Sequence, residues 1–211
     1  DLASDLAAHL GFTIHYVPDL PQTTRSVADI RNGRLYLSSR LTARSGSGTG
    51  SDPRTAVLQA LSSRMLEHSE PTSYADFLRQ RVETNYLTGA LLIPEGHAVP
   101  FLQEAKKDRA ISIEDLRDAY SVSYETAAHR FTNLATVHLG IPVHFLKVHE
   151  SGTITKAYEN DDVNFPTDRL GSIEGQLCCR RWTSRVVFDI PDKFNPYYQY
   201  TDTGNGTYWC T

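Results

Sequence analysis

An α+β protein is what the sequence predicts. Apolar residues recur at helical spacing, with recognisable caps, over most of residues 1–139. An Asn32-Gly33 turn between two alternating segments interrupts them. From Gly140 onward the pattern changes to short strands separated by turn residues.

Leu2, Leu6 and Leu10 stand four apart with Gly11 behind them, which reads as a short amphipathic helix with a glycine stop. Phe12, Ile14 and Tyr16 then alternate with Thr13, His15 and Val17 as a strand. Val27–Ile30 and Arg34–Leu37 flank Arg31-Asn32-Gly33, and Asn-Gly tolerates the positive φ angles of a type I′ turn. One helix and a small antiparallel sheet are therefore expected over the first ~40 residues. Ser45–Ser51 reads as a flexible Ser/Gly loop.

Asp52-Pro53 supplies an N-cap and a first-turn proline, with Val57, Leu58, Leu61, Met65 and Leu66 as a buried stripe. Ser73 with Asp76 makes a capping box for a long, central helix through Phe77, Leu78, Val82, Tyr86, Ala90 and Leu91 towards Pro94. Ser112 with Asp115 opens another, and Tyr124 to His138 continues after Ser121-Val122-Ser123. Two helices around a short turn have the outline of a helix-turn-helix. Only His129 and Arg130 are available as contacts on the second, so a helical hairpin packed on the core is favoured. Strands are expected at Val143–Val148, Ile154–Tyr158, Arg185–Ile190, Tyr197–Tyr200 and Thr207–Cys210. The parts are thus 1–110, a hairpin at 111–139, and a β-rich 140–211.

Composition bounds the function. Hydrophobic residues make up 40% and charged residues 22%, as in ordinary globular proteins, which excludes collagen-like and disordered classes. No apolar run is long enough for a membrane span. With 21 basic and 25 acidic residues the net charge is −4, so the chain is not built to grip nucleic acid by charge alone. Three cysteines, two of them adjacent, make no secreted disulfide framework, and a reducing cytoplasm is expected. Asp1 is followed by no charged-then-apolar leader, and the chain stops one residue after a strand-like run, which reads as a piece of a longer protein.

Eight histidines raise the question of zinc, but His-Glu-x-x-His, which would set two imidazoles and a catalytic carboxylate on one helix face, does not occur. His144 and His149 stand five apart on an expected strand and point to opposite faces. The order of elements nevertheless resembles the IrrE/ImmA-type zinc peptidase domain. A helix from Arg54 to His68 precedes one ending Glu83-Thr-Asn-Tyr-Leu-Thr-Gly-Ala-Leu-Leu-Ile-Pro94. Where that family carries its zinc motif this chain reads Gln59-Ala60-Leu61-Ser62-Ser63, and only Glu83 remains of the ligands. The resemblance thus implies a degenerate peptidase scaffold with a small sheet, without catalysis and without zinc.

The remainder is similar to the sensory half of the short-chain fatty acyl transcriptional regulator family. The matching stretches are Ser112-Ile-Glu-Asp-Leu through Leu134, Gly140-Ile-Pro-Val-His-Phe-Leu-Lys-Val, Gly152-Thr-Ile-Thr-Lys156, Cys179-Arg-Arg-Trp182 and Tyr208-Trp-Cys210. The resemblance implies an effector domain for short-chain acyl-coenzyme A, propionyl-CoA foremost. It would control fatty-acid and propionate catabolism genes through a DNA-binding module located before Asp1. It further implies an iron–sulfur (4Fe–4S) cluster in the whole protein, with Cys179 and Cys210 at ligand positions. A regulator reading a palindrome needs two-fold symmetry, so a homo-oligomer is expected. Two other readings stay open: an oligomerisation module without a ligand, and an active metallopeptidase with an unusual ligand set.

The residues themselves suggest a pocket. Gln59, Ser62 and Ser63 would face Glu83 and Tyr86, giving apolar walls with a few polar groups. The phosphates of coenzyme A need cations, for which Arg79, Arg81, Lys106, Lys107, Arg109 and Arg130 are candidates. Arg79 and Arg81 are two apart and cannot share a helix face. Tyr120, Tyr124 and Phe131 have helical spacing and read as core before stacking partners, and Cys178 reads as a buried neighbour of an exposed Cys179. With the zinc-binding and catalytic residues replaced, purified protein is expected to hold no stoichiometric zinc and to cleave no peptide. One zinc per chain, removed by chelator together with peptidase activity, would overturn this.

Overall fold

The computed structural model describes residues 1–43, 52–159, 173–203 and 206–211, so the Ser45–Ser51 loop lies outside the described residues. It is an α+β protein whose contacts fall into two units, residues 1–130 and 131–211.

The first unit begins with α1 (Leu2–His9), capped by the Asp1 carboxylate accepting from the Ala3 amide. Strand β1 (Thr13–Val17) follows, then β2 (Ser26–Asp29) and β3 (Arg34–Ser38). β3 lies in the middle and buries Leu35 and Leu37. β2 pairs with it antiparallel as expected, but β1 runs parallel to it, so this sheet is mixed rather than wholly antiparallel.

The hairpin connection also differs from a two-residue type I′ turn. It spans Ile30–Gly33, because Asp29 faces Arg34 across the ladder. The Asp29 carboxylate accepts from the Asn32 amide and from Asn32 Nδ2. These bonds hold the Asp29 carboxyl below the usual carboxylate range. Only Gly33 then takes a positive φ, +59°. A Cβ there would strike the Gly11 carbonyl, so the hairpin tip sits directly against the end of α1.

After the short α2 (Arg40–Ala43) comes α3 (Pro53–Met65), capped by Asp52 as its sequence predicts. Its contacts reach α1, β2, β3 and the following helix. Ala56, Val57, Leu58 and Leu61 are buried, whereas Met65 and Leu66, expected in the stripe, are exposed because the helix ends there. Arg54, in its first turn, reaches the Tyr120 and Ser121 carbonyls at 3.1 and 2.7 Å. α4 (Tyr74–Leu92) is capped by Ser73, but it is not central: Thr88 and Leu92 are its buried residues, while Phe77, Leu78, Val82 and Tyr86 are exposed. α5 (Glu95–Lys107) is a helix that the sequence reading lacked; Pro100 lies within it at an exposed position, while Ala98 and Leu102 are buried. α6 (Ile113–Tyr120) is capped by Ser112 and ends at Ser121 in the left-handed region. α7 (Tyr124–Leu134), capped by Ser123, passes from the first unit into the second.

The second unit continues with a π-helical turn, Ala135–Leu139, closed by Gly140 at φ +58°. β4 (His144–Val148) and β5 (Ile154–Glu159) pair antiparallel. Where Arg185–Ile190 reads as a strand, the chain instead forms a short helix, α8 (Thr183–Val186), followed by turns. Its Arg185 donates to the Ser151 carbonyl at 2.9 Å and occupies the space a Cβ on Gly152 would need. That tie satisfies a loop carbonyl that an isolated strand would leave open. β6 (Gln199–Thr203) and β7 (Gly206–Cys210) close the chain as an antiparallel hairpin.

Replacing Gly33 with alanine forces a left-handed φ on a side chain and drives its Cβ into a backbone oxygen. A loss of about 2 kcal/mol or more is expected, with the melting temperature lowered by roughly 4–8 °C. Thermal unfolding of Gly33→Ala indistinguishable from wild type would show that the α1 end and the hairpin tip are not held together.

Candidate functional site

The candidate residues collect where α4 packs on α3, and the seam is zipped by side-chain pairs. At its buried centre, Ser62 Oγ lies 3.1 Å from Thr88 Oγ1. Ser62 Oγ also donates to the Leu58 carbonyl at 2.7 Å, and Thr88 Oγ1 to the Thr84 carbonyl at 2.8 Å. Near the solvent edge, Gln59 Nε2 donates to Asn85 Oδ1 at 3.0 Å. Ser63 is half-buried, and its carbonyl accepts from the His68 amide at 3.2 Å.

An ionic chain continues along α4. His68 Nε2 and Glu83 Oε2 are 2.7 Å apart, and the imidazole is almost fully buried. The other Glu83 oxygen accepts from Arg79, which also bonds Asp76. Hydrogen bonds from His68 and then Arg79 hold the Glu83 carboxyl below the usual carboxylate range. Arg79 is thereby committed to two carboxylates, whereas Arg81 points away on the exposed side of the helix.

A second constellation lies at the end of the first unit. The Arg130 residue is 3% exposed. Its Nε donates to the Ile93 carbonyl at 3.1 Å, and its guanidinium carbon lies 5.6 Å from the centre of the Tyr86 ring. Its Nη1 is buried with no hydrogen-bond acceptor. Neither the carbonyl nor the ring is an anion, so this geometry leaves a desolvated cation with one donor open. An unmade bond of that kind costs about 1–3 kcal/mol.

The expected site residues therefore divide. Gln59, Ser62, Ser63 and Glu83 belong to the α3–α4 seam, and Tyr86 joins it to Arg130. Lys106, Lys107 and Arg109 stand exposed at and beyond the end of α5, with Lys107 paired to Glu104. His68, Asn85, Thr88 and the Ile93 carbonyl were missed by sequence reasoning. Their partners lie 15 to 37 residues away, and no local pattern marks them.

In the second unit Cys178 is buried, its thiol pushed up by desolvation and 3.0 Å from Ser184 Oγ, while Cys179 is exposed. Cys210 lies on the less exposed face of the β6–β7 hairpin, 3.7 Å from Thr201 Oγ1. Among the described residues no three His, Cys, Asp or Glu side chains converge as metal ligands. Cys179 and Cys210 by themselves supply at most two of the four ligands that an iron–sulfur cluster takes. A cavity of about 170 Å³ lined by Ile154, Ile173, Gln176, Leu177, Cys178, Cys179 and Trp182 lies beside the first two cysteines. It is smaller than the ~300–1,000 Å³ of ordinary ligand sites. No described helix is long and apolar enough to cross a membrane.

No family model matches the chain. It is 34% identical over 111 residues to a propionyl-CoA carboxylase regulator of Cereibacter sphaeroides, a match covering 52% of this chain and 22% of that protein. The chain thus matches about a fifth of the length of this curated relative. A solved Mycobacterium tuberculosis transcriptional regulator shares the fold, with a TM-score of 0.69 at 22% identity over 99% of this chain and 61% of the other.

Because its folded pKa is depressed, Glu83 contributes stability above its unfolded pKa, near 4.3, that is lost as pH falls through the lower folded value. Glu83→Gln should be less stable than wild type at pH 7, with the difference shrinking below about pH 4. Parallel melting curves from pH 7 to pH 3 check this; a gap independent of pH would mean that the carboxylate charge is not what stabilises the seam.

Proposed function

We propose that this chain is the effector-binding part of a transcriptional regulator that senses a short-chain acyl-coenzyme A, propionyl-CoA foremost, and carries no catalysis of its own. The observation that supports this reading most directly is the buried Arg130 guanidinium, with an open donor beneath the half-exposed Tyr86. A phosphate or thioester oxygen offers the acceptor this donor needs. The Tyr86 ring offers an apolar surface next to it for a short alkyl chain. The proposed ligand set is Arg130 and Tyr86, with Glu83, Ser62, Ser63 and Gln59 shaping the neighbouring seam. Arg79, Arg81, Lys106 and Arg109 would supply longer-range attraction for the phosphates.

The match to a protein named as a propionyl-CoA carboxylase regulator supports the choice of ligand class, and the shared fold with a transcriptional regulator supports the regulatory role. Promoter DNA would be read elsewhere in the whole protein, in the cytoplasm, with a homo-oligomer matching a two-fold operator.

Calorimetric titration with acetyl to octanoyl thioesters, at fixed salt, tests the reading. Each buried methylene contributes about 0.8 kcal/mol, near fourfold in affinity, until the pocket is full. Ligand at a hundred times its dissociation constant adds about 2.7 kcal/mol, raising the melting temperature by roughly 5–11 °C. Free coenzyme A should bind more weakly. Tyr86→Ala should flatten the chain-length preference, and Arg130→Gln should weaken every thioester. Binding by none of them, or affinities that ignore chain length, would remove the reading.

A further inference from the structure

A cleft of about 380 Å³ lies at the turn of the β4–β5 hairpin, lined by Lys147, Val148, His149, Glu150, Thr155 and Phe188. Its volume falls within the ~300–1,000 Å³ of ordinary ligand sites. These residues belong to the second unit, whereas Arg130 and the α3–α4 seam belong to the first.

Local structure gathers the lining. The β4–β5 ladder shifts register between Lys147 and Val148, and an irregularity of that kind re-aims the side chains beside it. At the turn, His149 Nδ1 accepts from the Ser151 amide at 3.2 Å. An amide can only donate, so the neutral ring carries its proton on Nε2. Thr155 Oγ1 donates to the Lys147 carbonyl at 3.1 Å, which leaves its oxygen as an acceptor. Arg185 ties α8 to the Ser151 carbonyl, and the Phe188 amide donates to the Arg185 carbonyl at 3.1 Å. Phe188 is thereby held at the cleft, 41% exposed.

Three kinds of chemistry meet there. Lys147 and His149 Nε2 are donors suited to a carboxylate, Glu150 and Thr155 are acceptors suited to an ammonium, and Val148 and Phe188 are apolar. Lys147 also faces Lys156 directly across the ladder, and the Lys156 ammonium lies 5.8 Å from the centre of the Phe145 ring. Like charges in register repel, and an anion beside Lys147 relieves that repulsion. Within the lining, the charges of Lys147 and Glu150 balance. A ligand carrying both signs therefore fits it better than a fatty-acid anion or a phosphate. We infer that the cleft binds an apolar α-amino acid of the leucine type. Its carboxylate lies on Lys147 and His149, its ammonium on Glu150, and its side chain on Val148 and Phe188. The inference is separate from the thioester: failure to bind any acyl-coenzyme A would leave it standing.

Calorimetric titration of the wild type with L-leucine, glycine, isocaproate and isoamylamine tests it. Isocaproate is leucine without the ammonium, isoamylamine is leucine without the carboxylate, and glycine lacks the side chain. Leucine should bind, and each of the others at least about threefold more weakly. Glu150→Gln should weaken leucine but not isocaproate, and Lys147→Met should weaken leucine but not isoamylamine. Both positions are exposed, so the variants should keep the wild-type circular dichroism. No heat from leucine up to its solubility limit, an analogue that binds as tightly as leucine, or either variant keeping the wild-type affinity for leucine would each overturn the assignment.

Discussion

The first unit depends on where two buried hydroxyls can find acceptors. Ser62 and Thr88 meet at the centre of the α3–α4 contact, and each also faces a carbonyl one turn back in its own helix. Ser62 and Thr88 bring two hydroxyl hydrogens to three contacts, so one hydroxyl is shared between its own carbonyl and the other helix, and only the bond across the seam depends on the register of α3 against α4. Sliding α3 towards Leu61 or α4 towards Leu87 would put a leucine against the other helix's hydroxyl and break the contact across the seam, while each hydroxyl keeps the bond to its own helix. Around this point α3 buries Ala56, Val57, Leu58 and Leu61, and its contacts reach both α1 and the small sheet. Arg54 extends the same helix's influence to the end of α6 through two carbonyls.

Such a register also explains why the polar seam between α3 and α4 is not an open cleft. Polar residues facing one another across two helices are expensive to bury singly, and each here has found a neighbour: Gln59 has Asn85, Ser62 has Thr88, and Glu83 has His68 and Arg79. What stays open is next door. Arg130, held by the Ile93 carbonyl and covered by Tyr86, is the described cation whose buried donor has no acceptor.

Local chemistry made much of the fold legible. Asp52-Pro53, Ser73 with Asp76, and Ser112 with Asp115 each began the helix they announced, because a cap is a contact between residues two or three apart. The same local view missed α5, which begins directly after Pro94 and carries Pro100 on its exposed face. It also read Arg185–Ile190 as a strand from its β-branched run, although Arg185 is recruited by the Ser151 carbonyl 34 residues away. The length of α4 suggested centrality, but its apolar residues lie on the wrong side for that. At the candidate site the types of residue were legible, while their pairing was not. Nothing in Ser62 or Thr88 alone says that they meet.

The fit of Gly33 against the Gly11 carbonyl bears on how the molecule can be engineered. Exposed hairpin tips are ordinarily the places where a chain accepts an inserted epitope, a fluorophore or new termini. Here the tip is a stopper on the first helix, with no room for even a methyl group. A label or permutation site placed between Ile30 and Gly33 would lift α1 from the sheet it packs on, so a reporter for this protein has to be carried elsewhere.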